Sequence, residues 1–392
     1  MRIAIDARTI CDADGGPGAG IEHYTWSLVF ALIRQFPKDR FLLFVPPQLS
    51  AERRLTLVGS CRNTRLICLP TRIPFLSRQI SFPLRLYALQ AQVLFVPTPH
   101  LPVLWRGPSL ITVHDMAIFS HPEWFPTGDS VSLSTRRLVP NSLIRATRIA
   151  AVSAYTAECV AAYAPSTAHR VDVVYPGVLV PTHVTGTSRF VLPSEFVLCL
   201  GTIEPRKNLV QAIYAFDRFL SAHTDRAPRL RLVLAGKWGW KTEEVQVAMD
   251  TVNEAWKDFA PDGLIHSLGP VSEDEKWELL SHTSALFFPS LEEGFGLPVL
   301  EAMALGVPVI CSDRGALPEV VADAGLICPP DDVERMALLL AQVILLPEAS
   351  APLSEVGQQR ASSFTWEATA NGIMKSLEKV VYEKPSSTMN ET

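Results

Sequence analysis

The chain has no C-x-x-C pair, no excess of basic residues, no D-x-D motif at a strand end and no apolar run of bilayer length. Each absence removes a class of function. With a net charge of -5 there is no general basic face for nucleic acid. The seven cysteines, Cys11, Cys61, Cys68, Cys159, Cys199, Cys311 and Cys328, stand apart and mostly inside apolar runs. They read as buried reduced thiols and not as a disulfide framework. Without a D-x-D motif at a strand end to hold a divalent cation, no bound metal is expected, and no other cofactor is expected either. The opening Met1-Arg2-Ile3-Ala4-Ile5-Asp6 reads as a β-strand and lacks the basic-then-apolar pattern of a signal peptide, so a cytoplasmic location is expected. Solenoid-length repeats and low-complexity blocks are missing too.

What is present is a globular profile, 48% hydrophobic and 19% charged, in 392 residues that suit two cores better than one. Short apolar runs alternate with helical patterns. Arg2–Asp6, Phe41–Val45, Arg65–Leu69, Val93–Val96, Leu110–Val113, Arg148–Val152 and Asp172–Tyr175 read as strands of a first half. Phe196–Leu200, Arg231–Ala235, Leu264–Leu268, Ala285–Pro289, Val307–Ser312 and Gly325–Cys328 read as strands of a second. Continuous apolar strands separated by helices belong to parallel sheets buried on both faces. The expected class is α/β: two doubly wound domains, 1–180 and 196–364, joined by a Pro/Thr/Gly-rich linker at 181–195. A further helix follows at 365–383, and the polar tail 384–392 reads as disordered.

Open parallel sheets bind ligands beyond the carboxyl ends of their strands, so the loops there were read for chemistry. After the first strand comes Gly15-Gly16-Pro17-Gly18-Ala19-Gly20, opening a helix near Ile21. Gly18 and Gly20 allow close backbone approach to a ligand, and a surface loop is the plain alternative. Gly201-Thr202-Ile203-Glu204-Pro205-Arg206-Lys207-Asn208 follows the first strand of the second half and sets two cations at the mouth of a helix. A diphosphate would meet both charges and the helix dipole there, whereas a solvated basic pair would do nothing. Glu292-Glu293-Gly294-Phe295-Gly296-Leu297-Pro298-Val299-Leu300-Glu301 brackets a glycine loop with Glu293 and Glu301. Its N–H groups can hold phosphate while the carboxylates accept from sugar hydroxyls; alternatively, Glu301 only favours the helix dipole. A carboxylate pair for glycoside hydrolysis is a further option. His114 and Asp115 end another strand, where His114 is either catalytic or a structural histidine.

Taken in order, these pieces resemble the retaining glycosyltransferases of family four, also called glycosyl transferases group 1, which have the GT-B fold. The likeness runs through Arg2–Arg8, Gly20–Thr25, His114-Asp115, Val152-Ser153, Tyr175–Val178, Gly201–Asn208 and Gly236–Trp240. It is densest at Phe288-Pro289-Ser290, Glu293…Glu301 and Ala302–Val309. It implies that Arg206 and Lys207 hold the donor diphosphate, and that Glu293, with the backbone of Gly294, Phe295, Gly296 and Leu297, contacts sugar and phosphates. Glu301 would grip the ribose, His114 would face the sugar, and Gly18 and Gly20 would close over donor or acceptor. The helix at 365–383 would brace the first domain. Many relatives read Gly-Ile-Gly-Arg-Tyr where this chain has Gly20-Ile21-Glu22-His23-Tyr24.

The activity implied is metal-independent transfer of a hexose from a nucleoside-diphosphate sugar, with anomeric retention. The wording of Gly201–Asn208 resembles bacterial mannosyltransferases of surface polysaccharide synthesis, so mannose from GDP-mannose is the first expectation, ahead of UDP- or dTDP-linked sugars. A saccharide or lipid-linked saccharide is the expected acceptor. A sugar-nucleotide epimerase or hydrolase and a non-catalytic sugar-nucleotide binder are the alternatives. The stretch Arg72–Arg78 to Arg85-Leu86-Tyr87 mixes basic and apolar residues and is a candidate for peripheral contact with the inner membrane face, or else a core-facing helix with solvated arginines.

Overall fold

In the computed structural model, the structure describes residues 1–10, 19–59, 63–69, 77–181 and 189–382. Gly15, Gly16, Gly18, Cys11, Cys61, the Arg72–Leu76 stretch, most of the linker and the tail lie outside the described residues. Among the described residues thirteen strands form two sheets. The first contains β1 (Arg2–Asp6), β2 (Arg40–Val45), β3 (Thr64–Cys68), β4 (Val93–Val96), β5 (Ser109–Val113), β6 (Arg148–Ala151) and β7 (Val171–Val173). The second contains β8 (Glu195–Leu200), β9 (Leu230–Ala235), β10 (Ile265–Gly269), β11 (Ala285–Phe288), β12 (Val309–Ser312) and β13 (Leu326–Cys328).

Every pairing is parallel, in the orders β3-β2-β1-β4-β5-β6-β7 and β10-β9-β8-β11-β12-β13. These are the two doubly wound sheets that the apolar runs implied. Strand β8 shows why such a run stays apolar at every position. Phe196, Leu198 and Leu200 pack into one core, and Val197 and Cys199 pack into another on the opposite face. Strand ends move by one or two residues where proline intervenes. Pro308 has no N–H to give the ladder, so β12 begins at Val309, and its carbonyl accepts from Leu286 N at 2.9 Å.

The order of each sheet reverses once, between β1 and β4 and between β8 and β11. Such a switch point opens a crevice beyond the carboxyl ends of the two strands. In the second sheet the loops that line it follow β8 and β11. They are the segments 201–208 and 289–296.

Composition alone left the helix after Trp366 without a place. The structure seats the helix Trp366–Tyr382 on the first sheet, with Thr369 Oγ1 donating to Tyr175 O at 2.8 Å. Farther along, Ser376 Oγ and Lys379 Nζ donate to Asp172, each at 2.8 Å, and Arg148 donates to the same carboxylate at 2.7 Å. Of the described cysteines all five are free; Cys199, Cys311 and Cys328 are buried. Cys68 departs from the expectation and is exposed, because β3 is an edge strand. No single helix among the described residues is long and apolar enough to cross a membrane.

Candidate active site

The loop after β8 is shaped by backbone conformations that few residues tolerate. Gly201 has φ +139°, and Asn208, at φ 56°, is left-handed where the chain turns into the helix Leu209–Ala222. The Asn208 amide is held there by donating to Pro289 O (3.1 Å) and Pro330 O (2.7 Å), which ties this loop to the one after β11. Between the two turns, Pro205–Lys207 forms one tight turn that delivers Arg206 and Lys207 to the crevice.

Both cations converge on Glu293. Arg206 Nη1 donates to Glu293 Oε2 at 2.7 Å and to Glu292 O at 3.0 Å, and Lys207 Nζ donates to Glu293 Oε1 at 2.5 Å. The other edge of the Arg206 guanidinium is held by Glu204 Oε1 (2.8 and 3.1 Å), and the Lys207 ammonium lies 4.5 Å from the centre of the Phe288 ring. Glu293 is buried. Burial works against its charge, but Arg206 and Lys207 outweigh it and hold the carboxyl at about 2. Burial pulls Lys207 down from the ordinary lysine value, helped by the charge of Arg206 and opposed by Glu293. Burial also pulls on Arg206, but Glu293 and Glu204 carry it above its ordinary value. The three groups the sequence singled out thus form one compact charge cluster at the second sheet's switch point.

The chain then turns through Gly296 (φ +99°) into the helix Leu297–Ala304, with Pro298 in its first turn. Phe295 is buried between Tyr175 and Phe364. Glu301, one turn in, is also buried, and its Oε1 accepts from Lys276 Nζ at 2.5 Å. Lys276 comes from the helix Glu273–His282, which starts at a Ser272/Glu275 capping box, and it also meets Glu273 at 2.7 Å. Across the cleft His23 approaches Glu273 at 3.6 Å. His23, Glu273 and Glu301 bring one ligand atom each within 4.8 Å of one another, with the Lys276 ammonium bridging the two carboxylates. The motif reading did not find Lys276. Its only sequence signal is the spacing of three residues from Glu273, which any solvated helix face can show.

The first half closes on this loop at Gly294. A side chain there would start 1.7 Å from His114 O, so only glycine allows the approach. Thr156 Oγ1 donates to Gly294 O at 3.0 Å from the same side. His114 therefore meets the candidate loop with its backbone. Its ring Nε2 donates to Pro97 O at 2.9 Å, and the ring packs edge-on against Tyr24 at 4.7 Å. Burial lowers its pKa against the opposing pull of Pro97 O and Asp115, which favours a neutral ring with the proton on Nε2. Gly20 lies exposed in the helix Ala19–Gln35, with open space where a side chain would start.

Further contacts cross the cleft that the motifs did not announce. Glu319 accepts from the N–H groups of Ala154 and Tyr155 at 3.2 and 3.4 Å, and Trp240 Nε1 donates to Trp124 O at 2.7 Å. His121 Nε2 stands 3.4 Å from buried Glu292. Two half-buried cations at a loop–helix junction can hold an anion, and the acids beside them can accept from hydroxyl groups.

Comparison with known proteins shows the family. Residues 187–360 match the family model described as glycosyl transferases group 1. The chain is 30% identical over 276 residues to O-antigen chain mannosyltransferase B of Escherichia coli, covering 66% of this chain and 67% of that protein. It is 31% identical over 217 residues to D-inositol 3-phosphate glycosyltransferase of Frankia alni, covering 53% and 52% of the two chains. In fold it is similar to WaaG, a glycosyltransferase involved in lipopolysaccharide biosynthesis, with TM-score 0.66 and 13% identity over 97% of this chain and 100% of that one. With half-buried cations and buried carboxylates at the switch point of a GT-B pair of sheets, and a relative matched over two-thirds of its length, the chain belongs to the group 1 glycosyltransferases.

Proposed function

We propose that this glycosyltransferase moves a hexose, mannose in the first instance, from a GDP-linked donor to a saccharide or lipid-linked saccharide in glycan assembly. The observation that carries it is the Arg206–Lys207–Glu293 cluster, because it sets two cations where a departing pyrophosphate would gather charge. The mannosyltransferase named above supports mannose, as does the wording of Gly201–Asn208.

In this reading, the donor pyrophosphate lies against Arg206, Lys207 and the N–H groups at Gly296–Leu297, which carry the developing charge without a metal. Glu293 and Glu301 accept from sugar and ribose hydroxyls. The acceptor attacks the anomeric carbon from the face the leaving group departs from, and the leaving phosphate takes the acceptor's proton, so configuration is retained. The contact of Gly294 with His114 closes the cleft and keeps out water that would hydrolyse the donor.

A thermal-shift series tests the donor. GDP-mannose should raise the melting temperature above UDP- and dTDP-sugars, since a ligand of the folded state stabilises by mass action. A shift with UDP- or dTDP-sugars alone would reassign the donor, and no shift with any of them would remove the proposal.

A further inference from the structure

One motif of the second half, Gly236-Lys237-Trp238-Gly239-Trp240, takes no part in the charge cluster at Glu293. It follows β9 directly and is laced to the loop that carries Arg206 and Lys207. Ile203 N donates to Lys237 O at 2.9 Å, and Gly239 N donates to Ile203 O at 2.9 Å. A side chain on Gly239 would start 2.8 Å from Ile203 O, so glycine lets the two loops lie this close. Trp238 and Trp240 therefore stand at the edge of the candidate site, one strand over from Arg206.

The chain holds eight tryptophans, and burial sorts them. Trp105, Trp256, Trp277 and Trp366 are core residues. Of those that keep surface, Trp124, Trp238 and Trp240 gather at this edge. Trp124 comes from the first half. Its carbonyl accepts from Trp240 Nε1 at 2.7 Å, and the rings of Phe125 and Trp240 lie 5.9 Å apart. Trp238 is 38% exposed.

Polar groups flank this aromatic rim on both sides. On the inner side His121 stacks on Trp124 at 3.9 Å, and its Nε2 stands 3.4 Å from Glu292, whose carbonyl accepts from Arg206. Glu292 is only 2% exposed. Tyr155 directs its hydroxyl at that carboxyl group, yet Oε1 is left without a bond of full hydrogen-bond geometry among the described residues. On the outer side Glu123 is exposed; its carboxylate meets His121 Nδ1 at 3.1 Å and its carbonyl accepts from Lys241 Nζ.

We propose that this rim is the acceptor's subsite and that it stacks a neutral sugar ring. The proposal rests on the transfer to a saccharide given above and says where that saccharide lies. A hexose has an apolar C–H face and a girdle of hydroxyls, so it suits flat aromatic faces with hydrogen-bonding groups at their edges. Trp124, Trp238 and Trp240 supply the faces, and Glu123 and Oε1 of Glu292 accept from hydroxyls. An anion fits poorly, since two carboxylates flank the rim. A nucleobase fits poorly too. The donor's ribose is assigned to Glu301, whereas the rim opens beside Glu292, where the transferred sugar would sit. Whatever approaches that end is the acceptor. Because the rings come from both lobes, the subsite is complete only when the lobes meet.

The test is saturation-transfer NMR on the full chain with neutral methyl glycosides and disaccharides of mannose, glucose and galactose. The expected result is transfer to the ring protons of at least one of these sugars. Trp238→Ala should raise the Kd of that sugar about fivefold, and Trp124→Ala about as much, while both keep the parent's thermal shift with GDP-mannose. Trp238 is exposed, so its replacement leaves the fold in place. Transfer to none of the sugars, or variants that bind them like the parent, would overturn the proposal. So would variants that lose the nucleotide-sugar shift along with the saccharide, because the rim would then serve lobe closure and not the sugar. A parent that shifts with no nucleotide sugar would remove the proposed donor, and the saccharide titration would still decide the rim.

Discussion

The two ends of the segment Glu293–Glu301 each carry a buried carboxylate, and their partners are arranged in opposite ways. At Glu293 one carboxylate meets two cations, Arg206 and Lys207. At Glu301 one cation, Lys276, is shared between two carboxylates, Glu301 and Glu273. The first arrangement keeps the acid ionised down to about 2 and holds two cations beside the turn into the helix Leu297–Ala304. The second leaves spare acceptor capacity, which suits hydroxyl donors better than anions.

If the contrast is functional, the two ends should fail differently. Arg206→Ala, and Lys207→Ala likewise, should lower turnover at saturating donor by about a hundredfold or more, since they remove charge needed only as the leaving group departs. Turnover within a few-fold of the parent would erase the distinction. Lys276→Met should instead raise the donor KM by about tenfold with kcat nearly unchanged, because it loosens Glu301 in ground and transition state alike. A fall in kcat as large as that of Arg206→Ala would put both ends in one role.

Asp172 sharpens the comparison as a control. It also gathers two cations, Arg148 and Lys379, but between β7 and the final helix. Burial opposes its charge, yet the bonds from Arg148, Lys379 and Ser376 hold its pKa at about 2, below the ~3.9 of an unfolded aspartate. That depression stabilises the fold above pH ~4 and is lost as pH falls towards ~2. Asp172→Asn should therefore cost about 2 kcal/mol in urea unfolding at neutral pH and leave transfer unchanged. A turnover loss without a stability loss would show that two cations on one carboxylate say nothing specific about chemistry.

Much of the architecture could be read from the chain because the middle of a parallel strand buried on both faces must be apolar, as Phe196–Leu200 of β8 and Leu232–Ala235 of β9 are. Arg206, Lys207 and Glu293 could each be picked out as polar residues placed just past such strands. Their convergence on one another could not, since it depends on the order β8-β11 that makes distant loops neighbours. Lys276 escaped for a related reason. In sequence it is one more charge in Glu273-Asp274-Glu275-Lys276, and only the ion pair with Glu301 on the helix Leu297–Ala304 sets it apart. His114 was noticed for its ring, yet it meets the loop through its carbonyl, and backbone contacts leave no trace in side-chain patterns.

The approach of Gly294 to the His114 carbonyl sets a spacing as well as a contact. Where two lobes meet at a point with no room for a methyl group, the width of the gap between them is fixed by one atom's absence. Any side chain introduced there acts as a wedge. The geometry of everything the lobes enclose is thereby tied to a residue that itself carries no functional group.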